Sequence, residues 1–261
     1  MGARGEQLAV LMYHATYGTC TPQSAIEAAD RPYAVSESAF VAHLVALQTA
    51  GYGIADVNAV DTPRTERTVL LSFDDGHVSN ARFVAPTLAE RELNGVFFIT
   101  TDWVDARPHF CAASDLREMR ALGMQIGSHG CSHRFIADLD ASAARAELAD
   151  SKAILEGVLG AEVDTISFPG GRCGRRDVEL AFELGYRWVY GSEFKLHRWG
   201  QRELIGRLPV REGMAADTVV ALCDPESTQH RRARRNSLLK STAKRVLGNG
   251  VYDAIYRQFA T

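Results

Sequence analysis

Two adjacent carboxylates, Asp74 and Asp75, follow the β-prone run Thr68-Val69-Leu70-Leu71-Ser72-Phe73. Neighbouring like charges repel, and burial disfavours ionising both unless a cation or strong donors stand close. On its own, Asp74-Asp75-Gly76 reads equally well as a turn that caps a helix. A second cluster, Ser128-His129-Gly130-Cys131-Ser132-His133, spaces two imidazoles four residues apart. That separation lets both rings converge on one point, in a helix turn or a tight loop. Glycines at 127 and 130 favour a loop that leads into a helix. Two neutral imidazoles and one carboxylate form a facial ligand set with positions left open for water and substrate. The other carboxylate can then take a proton from water whose pKa a metal has lowered from about 15.7 toward neutrality. The inventory is that of a metal-dependent hydrolase.

Elements that could position these groups alternate along the chain. Strands are expected at Leu8–Met12, 68–73, Gly95–Ile99, Met124–Ser128, Thr165–Phe168, Arg187–Tyr190 and Leu204–Val210. Helices are expected from Ser36 as N-cap to Gly51, near residues 80–92, from Ser114 as N-cap to Leu122, from Ala141 to Leu159, and from Asp177 to Leu184. Gly160 supplies a C-terminal stop for the fourth of these. Short strands alternating with helices predict a parallel α/β fold. Each polar cluster sits at the carboxyl end of a strand, where parallel barrels build their sites.

The order Ser72-Phe73-Asp74-Asp75-Gly76, then His129-Gly130-Cys131-Ser132-His133, then Phe168-Pro169-Gly170-Gly171 resembles the NodB-like polysaccharide deacetylases. The similarity extends to Leu11-Met12-Tyr13-His14 and to the helix carrying Arg145-Ala146-Glu147-Leu148 and Ser151-Lys152. The resemblance implies a distorted (β/α) barrel, usually of seven parallel strands, that removes an N-acetyl group from a sugar. It further implies Asp74 as the base, and Asp75, His129 and His133 as ligands of one divalent metal. Zinc is the first expectation, and cobalt, nickel or iron also suit the set. The Gly170 backbone N–H would help hold a tetrahedral oxyanion.

Three positions depart from that family's pattern. An arginine commonly stands two residues before the motif proline to orient the catalytic carboxylate, and here the position is Ser167. Arg172 or Arg175 could replace it, although both read equally well as surface residues. The residue after the proline is commonly aromatic and here is Gly170, which removes one wall of an acetyl pocket. A histidine on the last strand commonly protonates the leaving amine, but Leu208-Pro209-Val210 has none. His197 and His14 are the candidates to replace it, with water as the remaining option. Cys131 reads as packing rather than as a fourth ligand. Trp188 and Tyr190 read as core, and Trp199 could be core or a sugar platform.

The 261 residues, 46% hydrophobic with net charge −3, are enough for one large domain and point away from a general polyanion or nucleic-acid binder. The expected division is a barrel over residues 1–225 and a basic helical extension over 226–261. That extension carries Arg231, Arg232, Arg234, Arg235, Lys240, Lys244 and Arg245. A solvated face is the plain reading. Contact with an anionic membrane, or with the diphosphate of a lipid- or nucleotide-linked sugar precursor, is the specific one. The apolar run Leu8–Met12 is too short for a secretory h-region. Five scattered cysteines without a Cys-x-x-Cys pair fit a reducing cytoplasm. Two other functions compete with sugar deacetylation: hydrolysis of a non-sugar amide, and a catalytically silent glycan-binding domain that kept its metal.

Overall fold

The computed structural model describes residues 7–55 and 67–247. In chain order the elements are β1 (Gln7–Tyr13), β2 (Thr16–Tyr17), β3 (Val35–Ser36), α1 (Glu37–Thr49), β4 (Gly53–Ala55), β5 (Thr68–Phe73), α2 (Ala85–Ala89) and β6 (Val96–Ile99). There follow α3 (Ala113–Ala121), β7 (Gln125–Ser128), α4 (Ala141–Leu159), β8 (Thr165–Ser167), α5 (Arg175–Glu183) and β9 (Trp188–Tyr190). The last are β10 (His197–Arg198), β11 (Leu208–Pro209), α6 (Ala216–Cys223) and α7 (Thr228–Leu247). Residues 1–6 and 248–261, at the ends of the expected barrel and extension, lie outside the described residues, as do the side chains of Lys240, Lys244 and Arg245.

The strands β1, β5, β6, β7, β8 and β9 are parallel neighbours in that order, and β11 runs parallel to β1. A parallel bridge from Tyr190 to Ile205 brings the start of the 205–209 segment against β9. Seven parallel strands therefore curl into the distorted barrel expected. Two additions lie outside that ring: β4 pairs with the start of β5, and β10 runs antiparallel to β1 at Leu8.

Parallel strands covered on both faces need apolar residues throughout, and all six residues of β5 are buried. Side-chain alternation divides them. Leu8, Val10, Leu70, Val96, Phe98, Trp188, Tyr190 and Ile205 form one cluster inside the curl. Ala9, Leu11, Val69, Leu71 and Phe97 face the larger cluster under the helices. In that layer Phe73 stacks on Phe97 at 4.6 Å, and burying each such ring contributes about 1.5–3 kcal/mol. Trp188 and Tyr190 are core as expected, and Trp199 packs against the same cluster.

Local signals set most helix ends. Ser36 Oγ accepts from the Ala39 N–H at 3.1 Å, and α4 ends on Gly160 at φ 62°. Elsewhere the structure differs from expectation. The third helix is capped by the Asp115 carboxylate, which accepts the Ala112 N–H at 2.8 Å, so Ser114 lies inside the helix. The segment 80–92 is a π-turn over Asn80–Val84 followed by the five-residue α2, because Pro86 has no N–H to continue one ladder. The expected strand 204–210 is an isolated bridge at Ile205 and the two residues of β11, separated by Gly206-Arg207.

The basic extension begins by docking. In the first turn of α7, His230 is buried with Nδ1 2.6 Å from the Leu222 carbonyl, and its ring lies 5.1 Å from Phe194. Arg231, Arg232, Arg234 and Arg235 are exposed beyond it, as are Leu238 and Leu239.

Candidate metal centre

Asp74 leaves the end of β5 with its N–H bonded to the Tyr13 carbonyl at 3.0 Å, and it is 3% exposed. An isolated carboxylate there would cost several kcal/mol. Arg207 removes that cost, because its Nη1 and Nη2 grip the two Asp74 oxygens at 2.6 and 2.7 Å. The same guanidinium donates to Ser72 Oγ at 3.3 Å, Ser167 Oγ at 2.8 Å and, from Nε, the Gly191 carbonyl at 2.8 Å. All five donors of the fork are thereby used. Burial by itself would raise the Asp74 carboxyl. Arg207, His129 and His14 outweigh it and hold the group below its ordinary value, so Asp74 is ionised. Each of its oxygens keeps a second lone pair for an incoming proton.

Asp75 turns the chain at φ 75°, a conformation uncommon for a residue with a side chain, and faces the two histidines. His129 Nε2 lies 3.4 Å and His133 Nε2 3.2 Å from Asp75 Oδ1. His133 also sits at positive φ, 60°. The three ligand atoms lie within 4.8 Å of one another. His129 donates its Nδ1–H to the Ser167 carbonyl at 2.8 Å, since a carbonyl can only accept. In a neutral ring this leaves Nε2 as a lone pair aimed at a carboxylate oxygen, which is repulsive unless a cation lies between them. Asp75 Oδ1 is itself buried and has no hydrogen-bond partner among the described residues. A divalent ion fits this donor set, and the Ser167 carbonyl fixes the tautomer that coordination requires. Burial works against charging His133, but Asp75, Asp74 and Asp30 outweigh it and raise the imidazole above its usual range.

Gly170 occupies the 3-10 turn after β8 at φ 61°. A Cβ there would meet the Phe135 ring at 2.7 Å, so Phe135 fills the space that an aromatic residue after Pro169 would have taken. Pro169 in turn packs near Gly130 of the histidine loop, where an added Cβ would stand 3.9 Å from its ring.

The candidates for the missing arginine and acid separate clearly. Arg172 stacks on Phe135 at 4.1 Å, and the exposed Arg175 pairs with Glu179 at 2.7 Å. Neither residue takes the role, because Arg207 holds both Asp74 oxygens. His197 pairs with Leu8 at the amino end of β1, a strand length from the aspartates. His14 instead lines a small cavity together with Asp30, Asp74, Asp75 and His77. Its ring rests on Tyr33 at 5.0 Å, and its Nδ1 is buried without a hydrogen-bond partner among the described residues. Cys131 packs as expected, with Sγ 3.6 Å from the Glu147 carbonyl, and burial pushes its thiol up to about 11. Sequence reasoning missed Arg207 altogether. Its one signal was a lone cation inside the apolar run Leu204-Ile205-Gly206-Arg207-Leu208-Pro209-Val210.

The seven-stranded (β/α) barrel thus carries, at the carboxyl ends of its strands, a two-histidine, one-aspartate cluster that could hold a metal ion. The family model described as polysaccharide deacetylase matches residues 61–189, which carry both the aspartate pair and the two histidines. The curated relative YxkH of Bacillus subtilis (strain 168), whose name places it provisionally among polysaccharide deacetylases, is 25% identical over 193 residues. That match covers 72% of this chain and 65% of the relative. Among solved structures, the deacetylase PplD of Streptococcus pyogenes, determined with acetate, superposes with a TM-score of 0.74 at 19% identity. It covers 84% of this chain and 99% of that one. IcaB of Ammonifex degensii gives 0.67 at 24% identity, over 79% of this chain and 92% of its own. Over residues 61–189 this chain is similar to polysaccharide deacetylases, and it shares the NodB-like barrel fold of the solved ones.

Proposed function

We propose that this chain removes an N-acetyl group from an amino sugar, with Asp75, His129 and His133 holding one divalent ion, zinc by first choice. The observation that carries the reading is the pairing of an ionised, buried Asp74 with a neighbouring cluster whose lone pairs converge on one point. When bound, a divalent ion there supplies Lewis acidity toward an acyl carbonyl and toward water. Asp74 takes the proton of the attacking water, and Arg207 keeps its carboxylate aimed and ionised. The Gly170 N–H stabilises charge developing on the acyl oxygen. His14, which lines the same cavity as Asp74, gives a proton to the departing amine. The presence of Arg207 and His14 supports a working site over a silent glycan-binding domain.

Similarity to polysaccharide deacetylases supports an N-acetylated glycan or its precursor as substrate, in surface-polysaccharide or glycoconjugate synthesis. We place the reaction in the cytoplasm, on a lipid- or nucleotide-linked precursor, with α7 against an anionic membrane face. Four exposed arginines and two exposed leucines on one helix support that contact. No helix among the described residues is long and apolar enough to cross a membrane.

The experiment is acetate release from a panel of N-acetylated amino sugars, oligosaccharides and non-sugar amides by the zinc-loaded chain. Release from the sugars alone supports the reading, and release only from non-sugar amides overturns the substrate class. Removing residues 228–261 should abolish sedimentation with vesicles containing anionic lipid. Unchanged sedimentation would remove the membrane contact from the proposal.

A further inference from the structure

The loop that carries both histidine ligands is held from two sides. On one side, the carbonyls of Gly130 and Cys131 accept the N–H groups of Thr101 and Asp102 at 3.1 and 2.9 Å. Those donors belong to the backbone turn after β6, which side-chain substitution leaves in place. On the other side stands one face of α4. Glu147 Oε2 accepts the N–H groups of Cys131 and Ser132 at 2.8 and 3.0 Å, and Oε1 accepts the Ser132 hydroxyl. One helical turn later, Ser151 Oγ meets Ser128 Oγ at 2.6 Å, and Ser128 Oγ accepts the Gly130 N–H at 3.1 Å.

The loop needs this restraint. Gly130 lies at φ 77° and His133 at φ 60°, so a left-handed residue stands on either side of the pair whose amides Glu147 binds. For His133 that conformation is intrinsically unfavourable and persists only where the surroundings over-determine it. The fit is also close, since a Cβ on Gly130 would stand 3.2 Å from Glu147 Oε2. His129 has its own fixings, the Ile99 carbonyl for its N–H and the Ser167 carbonyl for its ring. His133 is one-third exposed, and its imidazole approaches Asp75, the Trp103 ring 5.0 Å away and the His129 ring 5.2 Å away, none of which fixes its backbone. Its placement therefore depends on the backbone just before it, which Glu147 pins.

We propose that Glu147 is a positioning residue of the metal centre, whose carboxylate presets the 131–133 backbone so that His133 is aimed before the ion arrives. The proposal rests on the metal-site reading above. Groups that orient a ligand without touching the ion typically change metal affinity by about 10–100-fold when removed. Glu147→Ala takes away the acceptors of two amides and one hydroxyl. Glu147→Gln keeps an amide oxygen for the two N–H groups, and its NH2 can donate to the Ser132 hydroxyl. Glu147→Asp keeps the charge and withdraws it from the loop by one methylene.

The test is zinc affinity of the full chain, measured by competition with a chelating dye, beside the melting temperature of each metal-free variant. The expected result is a rise in Kd of about 10–100-fold for Glu147→Ala and a clear, smaller rise for Glu147→Asp. For Glu147→Gln we expect a Kd close to wild type. A lower melting temperature with zinc affinity within about twofold of wild type in Glu147→Ala would overturn the proposal, because it would mean a purely structural role. Should Glu147→Ala fail to fold, Glu147→Asp decides: wild-type affinity in that variant overturns the idea, and weakened affinity supports it. A wild-type chain that binds no divalent ion would overturn the metal reading itself, and this proposal with it.

Discussion

His14 and His197 stand at the two ends of the same strand and illustrate the two ends of the barrel. At the carboxyl end of β1, His14 shares a cavity with Asp30, Asp74 and Asp75. At the amino end, His197 is fully buried and pairs with Leu8, six residues and roughly 20 Å along the strand. His14 is half-buried and His197 fully buried, so burial alone would rank His197 higher. What distinguishes them is the company that the parallel topology provides. Every parallel strand of the barrel turns its carboxyl end toward the same rim, so Asp74, His129 and His14 meet there although they are far apart in sequence.

The largest expected effect sharpens that contrast at Asp74. Asp74→Asn should retain metal content, checked by elemental analysis, while turnover falls by about 10²–10⁴-fold. Retained turnover would remove the base from the mechanism and much of the difference between the two rims.

Arg207→Met comes next, because it leaves Asp74 buried and unpaired. Breaking such a pair costs about 3–5 kcal/mol, which denaturant titration should detect, and turnover should fall with it. The pH dependence should change sign. In the wild type the Asp74 value is depressed by Arg207, His129 and His14 against its own burial. That contribution is present above the unfolded carboxylate value of about 3.9 and is lost as pH falls through the lower folded value. Without Arg207 burial dominates and raises the carboxyl, so the variant's penalty should shrink as pH is lowered. A penalty that stayed constant with pH would separate Arg207 from the charge on Asp74.

Paired substitutions of the two histidines test the comparison most directly. His14→Asn should cut turnover by about 10²-fold with zinc content unchanged. His197→Asn should cost about 1–3 kcal/mol of stability and leave turnover per folded molecule within about twofold. The opposite pattern would move the acid to the other end of the barrel. The smallest effect belongs to Ser167→Ala, which removes one of five acceptors around Arg207. We expect a loss of about 1 kcal/mol in stability and less than a tenfold loss in turnover.

Much of the arrangement is legible along the chain because it is local. The run Thr68–Phe73 shows its strand through β-branched and apolar content, and α4 shows its end at Gly160. Asp74-Asp75 and His129-x-x-x-His133 can be read as a ligand inventory because each half lies within five residues. The third helix was misplaced at its start because Asp115 reaches back three residues to cap it, a choice that Ser114 offered equally well.

By itself, then, the sequence determined the alternating strands and helices, the types of the clustered polar residues and their place at strand ends. Periodicity and spacing are properties of the backbone over a few residues. Only the tertiary structure decided which side chain steadies Asp74, because Arg207 lies 133 residues away and reaches it across the mouth of the barrel. It likewise set His14 beside the aspartates and His197 at the other end of β1, and covered Gly170 with Phe135. These are contacts between different strands and loops, fixed by the curl of the sheet.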